Sequence, residues 1–195
     1  MNPERETLYR GLSHAAWGYF FLHIHFKVNN VDLLPVFVGW LLLLSACRKL
    51  CGARRDLALL RPLAVLMAAW HGVDWLLSWG NARVGGHVLF LDLLVAVAVL
   101  YFHFQFLTDM AALAEHYQPE ESGLDGKLCR RRTVYLLVCT LVDILLELPM
   151  ARVGEVWGYI GVGLAFAGIV AALFIMAALF QLRRWFREAE GSPEE

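Results

Sequence analysis

Six apolar runs divide the 195-residue chain, at residues 8–26, 33–50, 62–79, 87–107, 133–150 and 156–182. A helix needs about 20 residues to cross the hydrocarbon layer, and a segment in lipid must satisfy its own backbone polar groups. The runs therefore predict an all-α fold: a polytopic membrane helical bundle of six transmembrane helices, forming one membrane domain over residues 1–195. Hydrophobic residues make up 59% of the chain and charged residues 18%, outside the range of an average soluble domain. The uninterrupted part of the first run, Leu12 to Phe26, is too short to span unless its helix starts near Leu8 with Arg10 reaching to the interface.

The net charge of −1 conceals a strict partition of sign along the chain. Arg5, Arg10, Arg48, Lys49, Arg54, Arg55, Arg61, Lys127, Arg130, Arg131, Arg132, Arg183, Arg184 and Arg187 flank the runs on one side, against Lys27, Arg83 and Arg152 on the other. The positive-inside rule then puts both termini and the loop 108–132 in the cytoplasm. The connections on the other side are short, which predicts three antiparallel hairpins, 8–50, 62–107 and 133–182, with a tail at 183–195. The loop 108–132 reads as a solvated connector ended by Pro119 and Gly123, and its basic cluster suits anionic lipid headgroups. No signal-peptide cleavage pattern follows the first run. The cysteines, Cys47, Cys51, Cys129 and Cys139, lack C-x-x-C spacing; the first three fall in or beside the basic cytoplasmic loops and Cys139 lies inside a helix, so disulfides are not expected.

Two of the hairpins share a motif. Residues 73–85 read VDWLLSWGNARVG and residues 142–154 read VDILLELPMARVG, identical at eight of thirteen positions without a gap. Each copy puts an acid in an apolar helix, a break at Gly80 or Pro149, and then Arg83 or Arg152. A fainter match aligns residues 15–17 with 68–70, both AAW. Three same-sense hairpins imply parallel internal repeats, an arrangement that transporters use.

Ionisable side chains within spans are costly and mark sites by default. The candidates for binding are His71, Asp74, Asp92, Asp143 and Glu147, with His103 also inside a run. Asp74, Asp92 and Asp143 lie roughly 7–9 Å inside the non-cytoplasmic end at 1.5 Å per residue. His71 with Asp74, and Asp143 with Glu147, share helix faces at spacings of three and four. Two readings stand: a cavity that takes a cation, a proton or a small basic substrate, or acids paired structurally with neighbouring helices and with Arg83 and Arg152. In the last run, Gly158 and its neighbouring small residues predict close helix packing, within the chain or in a homo-oligomer.

Residues 26–40, FKVNNVDLLPVFVGW, resemble a family of small uncharacterised bacterial multi-span inner-membrane proteins, in which an Asn-containing turn precedes Asp-Ile/Leu-Leu-Pro and an aromatic-Val/Ile-Gly-aromatic helix start. The family pattern often has an acid after the proline, where Val36 stands here. The resemblance implies a bacterial cytoplasmic membrane and no particular activity. Physically, Asp32 is expected to cap the second helix and Pro35 to sit in its first turn.

His23 and His25 would point about 200° apart on a helix, which disfavours a metal site, and a place in the interfacial aromatic belt beside Trp17 and Tyr19 explains His23 as well. There is no helical H-E-x-x-H, phosphate loop or nucleophile motif, so neither an enzyme nor a cofactor is expected, and nothing favours a nucleic-acid partner. The reading is a small carrier or channel-like protein that uses the acid and histidine cluster; the alternative is a membrane scaffold or assembly factor with structural acids.

Overall fold

A computed structural model describes residues 3–24, 27–28, 31–32, 35–80, 89–118, 122–147 and 155–188. Among these are six α-helices, α1 (Pro3–His23), α2 (Val36–Leu50), α3 (Arg61–Ser78), α4 (Leu89–Tyr117), α5 (Leu124–Glu147) and α6 (Glu155–Glu188). Two-residue strands, β1 (Lys27–Val28) and β2 (Val31–Asp32), pair antiparallel between α1 and α2, and a 3₁₀ turn (Arg55–Ala58) precedes α3.

Three stretches are long and apolar enough to cross a membrane: Arg55–Ser78, Phe90–Tyr117 and Trp157–Arg187. The chain is thus membrane-embedded, but among the described residues only three of the six expected spans are helices long and apolar enough to cross. The reason lies in the other three helices. α2 has only 15 residues; α1 opens with Glu4, Arg5, Glu6 and Arg10; and α5 opens with Asp125, Lys127 and Arg130 to Arg132. Membrane embedding also explains the apolar surface. Phe90, Tyr159, Val162 and Phe166 are each at least two-thirds exposed, which is acceptable where the surrounding medium is lipid.

The helices form a ring in the order α3, α2, α1, α6, α5, α4, and α3 and α4 touch only slightly. The expected hairpin 62–107 is therefore not a packed pair, unlike the first and third. Burial explains this. The fully buried residues of α3 end at Ala68 and those of α4 begin at Phe102, and of the α4 segment nearer the connection only half-buried residues such as Val95, Ala98 and Val99 pack against the core. The core of α6 likewise begins at Ala171. The bundle is tight where the arginines gather, called here the basic end, and looser at the opposite, acidic end.

Tight packing at α1 and α2 depends on glycine. A Cβ on Gly39 would stand 3.0 Å from the carbonyl oxygen of Gly18, and one on Gly18 would meet Leu43 at 2.9 Å. Arginines complete the basic end. Arg132 lies 4.6 Å over the Phe104 ring and donates to Thr108 at 2.6 Å, tying α5 to α4. Arg183 lies 4.9 Å over Tyr9 and donates to Ser13 at 3.2 Å, tying α6 to α1. Each such contact is worth about 0.5–2 kcal/mol, more where water is excluded.

The expected connector 108–132 is mostly helix. Leu107, Met110, Ala111, Leu113 and Ala114 are buried and carry α4 on to Tyr117, and the tail likewise continues α6 through the buried Leu182 and Phe186. The α4–α5 turn is organised by Gln118. Its Oε1 accepts from the Leu124 amide and the Ser122 hydroxyl, both at 2.8 Å, while its Nε2 donates to Asp125 at 2.8 Å. Gly123 supplies the left-handed residue, φ +52°. The donated bond from Gln118, then backbone N–H groups, hold the Asp125 carboxyl below its ordinary range. A depressed folded pKa gives stabilisation that is complete above the unfolded value of about 3.9 and is lost as pH falls through the folded one. Gln118→Ala is expected to cost about 1 kcal/mol, as the loss of a helix cap does, and to flatten the decline of melting temperature below about pH 4. Thermal denaturation from pH 3 to 7 checks both effects.

α2 begins later than the sequence reading expects. Pro35 is its N-cap residue, with no side-chain cap bond, and Asp32 stands in β2 opposite Lys27. Pro35 fits because its extended ψ of 134° precedes the helix, and the proline lacks the N–H that a cap leaves unpaired.

Candidate functional site

Polar side chains recur at every fourth position on the inner faces of α1 and α5, and the fold brings these faces together. On α1 they are Tyr19 and His23; on α5 they are Tyr135, Cys139 and Asp143. A spacing of four stacks them one turn apart on one face. Tyr19 is 1% and Tyr135 2% exposed, so each hydroxyl must find a partner inside the protein.

The partners are histidines. The Tyr19 hydroxyl shares a 3.0 Å hydrogen bond with Nδ1 of His103, itself 2% exposed on α4. The Tyr135 hydroxyl lies 2.8 Å from Nε2 of His23, and Nδ1 of His23 lies 2.9 Å from the Tyr19 carbonyl oxygen. Because a carbonyl only accepts, His23 carries a proton on Nδ1, and when the ring is neutral Nε2 accepts from the Tyr135 hydroxyl. Tyr19 and His23 stack with ring planes 6° apart, and His103 meets Tyr135 edge-on at 5.3 Å. Cys139 lies one helical turn beyond Tyr135 along α5, and Asp143 one turn further on the same face. The result is a ladder from Asp143 at the acidic end through Cys139, Tyr135, His23 and Tyr19 to His103.

A second branch reaches the same histidine. Trp40 on α2 stacks on His71 of α3 with planes 7° apart and lies 5.6 Å from His103. Its indole Nε1 is buried without a hydrogen-bond partner among the described residues, which costs about 1–3 kcal/mol if left unmet. His71 therefore belongs with His103, and Asp74 lies three residues on along α3.

Asp74, Asp92 and Asp143 are each half-buried within the last or first turns of their helices, and each takes part in an interaction. Asp143 joins the ladder. The side chain of Glu147, the last residue of α5, and both Arg83 and Arg152 lie outside the described residues, so the expected acid-to-arginine pairing of the repeat does too. Gly158 does not act as a packing residue: a Cβ there would meet nothing within 4 Å, whereas Gly161 approaches Leu145 and Gly168 approaches Val138. Of the α6 glycines among the described residues, only the latter two come within 4 Å of an α5 side chain.

Toward the basic end the ladder stops. Phe106 and Leu107 are fully buried and separate His103 from the next buried polar group along α4. That group is Asp109, 1% exposed, which receives Gln105 at 3.3 Å and lies 3.8 Å from Arg54. Asp109 belongs to α4, not to the solvated connector the sequence implies. The sequence signal that identifies the ladder is the four-residue spacing of Tyr, His, Cys and Asp. Tyr19 is a core residue, and His23 is half-buried one turn further along α1.

The fold and this ladder define a membrane-embedded helical bundle with an internal tyrosine–histidine centre. The chain matches no family model, no curated protein and no solved structure.

Proposed function

We propose that the protein is a small membrane carrier that takes a proton or a small cation into the bundle from its acidic end. All six helices would cross the bilayer with both termini cytoplasmic, consistent with the gathering of arginines at one end. The bacterial inner membrane is the setting that the first-hairpin resemblance implies. The observation that carries the reading is a pair of buried tyrosine–histidine hydrogen bonds, Tyr135 to His23 between α5 and α1 and Tyr19 to His103 between α1 and α4, set next to each other by the His23 bond to the Tyr19 carbonyl, with Asp143 two turns beyond Tyr135 on α5. Such intramembrane chains characterise proton relays. Protonation of His23 at Nε2 would make that nitrogen a donor and reverse its bond with Tyr135, a local switch with α1 and α5 on its two sides. The apolar plug beneath His103 favours a carrier over an open channel, and the loose contact of α3 with α4 favours entry from the acidic end.

The scaffold reading has one observation in its favour, the engagement of Asp74, Asp92 and Asp143 in interactions. A thermal-shift screen separates the two. Sodium, potassium and alkylammonium ions are added to the purified protein at pH 6 and pH 8. A carrier predicts that at least one cation raises the melting temperature of the native chain in a pH-dependent way, and that Asp143→Asn keeps its fold but loses the shift. A scaffold predicts no cation shift, with Asp143→Asn destabilised by about 3 kcal/mol or more if its partner is a buried charge.

A further inference from the structure

We infer that the groove between α5 and α6 at the basic end holds the phosphate of an anionic phospholipid. It has a volume of about 370 Å³ and is lined by Lys127, Arg130, Arg131, Val134, Ala171 and Phe174. The four α5 residues lie at spacings of three, one and three, so they share one face of the first turns of the helix. Three adjacent cations are costly unless something neutralises them, and among the described residues none of the three pairs with a carboxylate. Asp125, the nearest acid on α5, is held by Gln118.

The cations are also arranged. Arg131 reaches across to α6, donating from Nη1 to the Phe174 carbonyl at 2.6 Å with its guanidinium 5.4 Å over the Phe174 ring. This fixes one wall of the groove. Lys127 donates to the Ser122 carbonyl at 3.0 Å and keeps further protons for an anion, and Arg130 is exposed. A phosphate with several acceptor oxygens suits this donor set.

The other half of the groove identifies the source of the phosphate. Val134 and Phe174 are about half exposed, and Leu137 and Leu141 continue the exposed apolar face of α5 for two turns toward the acidic end. Free phosphate makes no use of such a stripe. A lipid does, because its headgroup sits at the basic end of the helices and its acyl chains run along them. Basic clusters at the cytoplasmic face bind anionic headgroups in this way; here the cluster is joined to a formed groove.

The test uses the full chain in detergent micelles, with lipid retention read by native mass spectrometry. Phosphatidylglycerol should remain as a discrete adduct and phosphatidylcholine should not. The double variant Lys127→Ala/Arg130→Ala spares Arg131 and its helix contact, and should lower retention about tenfold or more with the melting temperature in lipid-free micelles unchanged. The control Arg48→Ala/Arg55→Ala, which removes exposed charges elsewhere at the same end, should retain the lipid. Equal loss in the control, equal retention of phosphatidylcholine, or displacement of the adduct by millimolar inorganic phosphate would overturn the assignment.

Discussion

Gly39→Val is expected to yield no folded protein, and Gly39→Ala to melt several degrees lower, whereas Gly158→Ala melts at the same temperature or slightly higher. Both sites are glycines in apolar helices, and intrinsic propensity favours alanine by about 1 kcal/mol in each. What separates them is the space for a Cβ. At Gly39 the Cβ would stand 3.0 Å from the Gly18 carbonyl oxygen and 2.9 Å from Leu22. The side chain can turn away but the carbonyl oxygen, fixed in α1, cannot, so the helices must separate. Overpacking of this kind costs about 1–3 kcal/mol, which outweighs the propensity gain for alanine and far exceeds it for a branched side chain. At Gly158 nothing lies within 4 Å, so only the propensity term remains. Melting temperatures in detergent check the order, at roughly 2–4 °C per kcal/mol for a chain of this length. Equal tolerance at Gly39 and Gly158 would mean that α1 and α2 do not cross where the structure has them.

The same pair of glycines illustrates how far the sequence can be read. Apolar runs and the segregation of arginine are one-dimensional signals, so membrane embedding, six helical segments and a shared basic end were legible. Which helices meet is a three-dimensional matter. The glycines of α6 are far more conspicuous than Gly18 and Gly39, yet close packing requires two small residues opposite each other, and only the partner helix decides that. The short connection after α3 predicts a packed hairpin with α4, but the apolar faces of those helices lie against α2 and α5 instead.

Asp109 was hidden for a related reason. It sits among Thr108, Glu115 and the acids before Gly123, so by composition it belongs to a polar loop. Leu107, Met110, Leu113 and Ala114 around it have helical spacing, and that spacing buries it. The candidate site was legible in part. His71, His103 and Asp143 stand out as ionisable groups in apolar runs. Tyr19, Trp40 and Tyr135 do not, because an aromatic residue in a membrane helix is ordinary until its hydroxyl or indole nitrogen is found buried.

The second large effect concerns Tyr135. Tyr135→Phe removes one oxygen and almost no volume, so the packing of α5 against α1 and α4 should survive at a cost of about 1 kcal/mol for the hydrogen bond to His23. Its effect on the proposed function is far greater, since the ladder has no other hydroxyl between Cys139 and His23. Asp143→Asn removes the outer carboxylate and leaves the interior unchanged. A scaffold would feel the first change slightly and the second through stability alone.

Proton exchange in proteoliposomes tests this account most directly. Vesicles containing the purified chain and a trapped pH dye are given an inward gradient of the cation that stabilises the protein. The account predicts proton efflux well above that of empty vesicles, abolished by Asp143→Asn and reduced at least tenfold by Tyr135→Phe, with both variants folded and reconstituted to the native level. Efflux in those variants equal to that of the native chain, or none from the native chain with any of the cations tried, would contradict it.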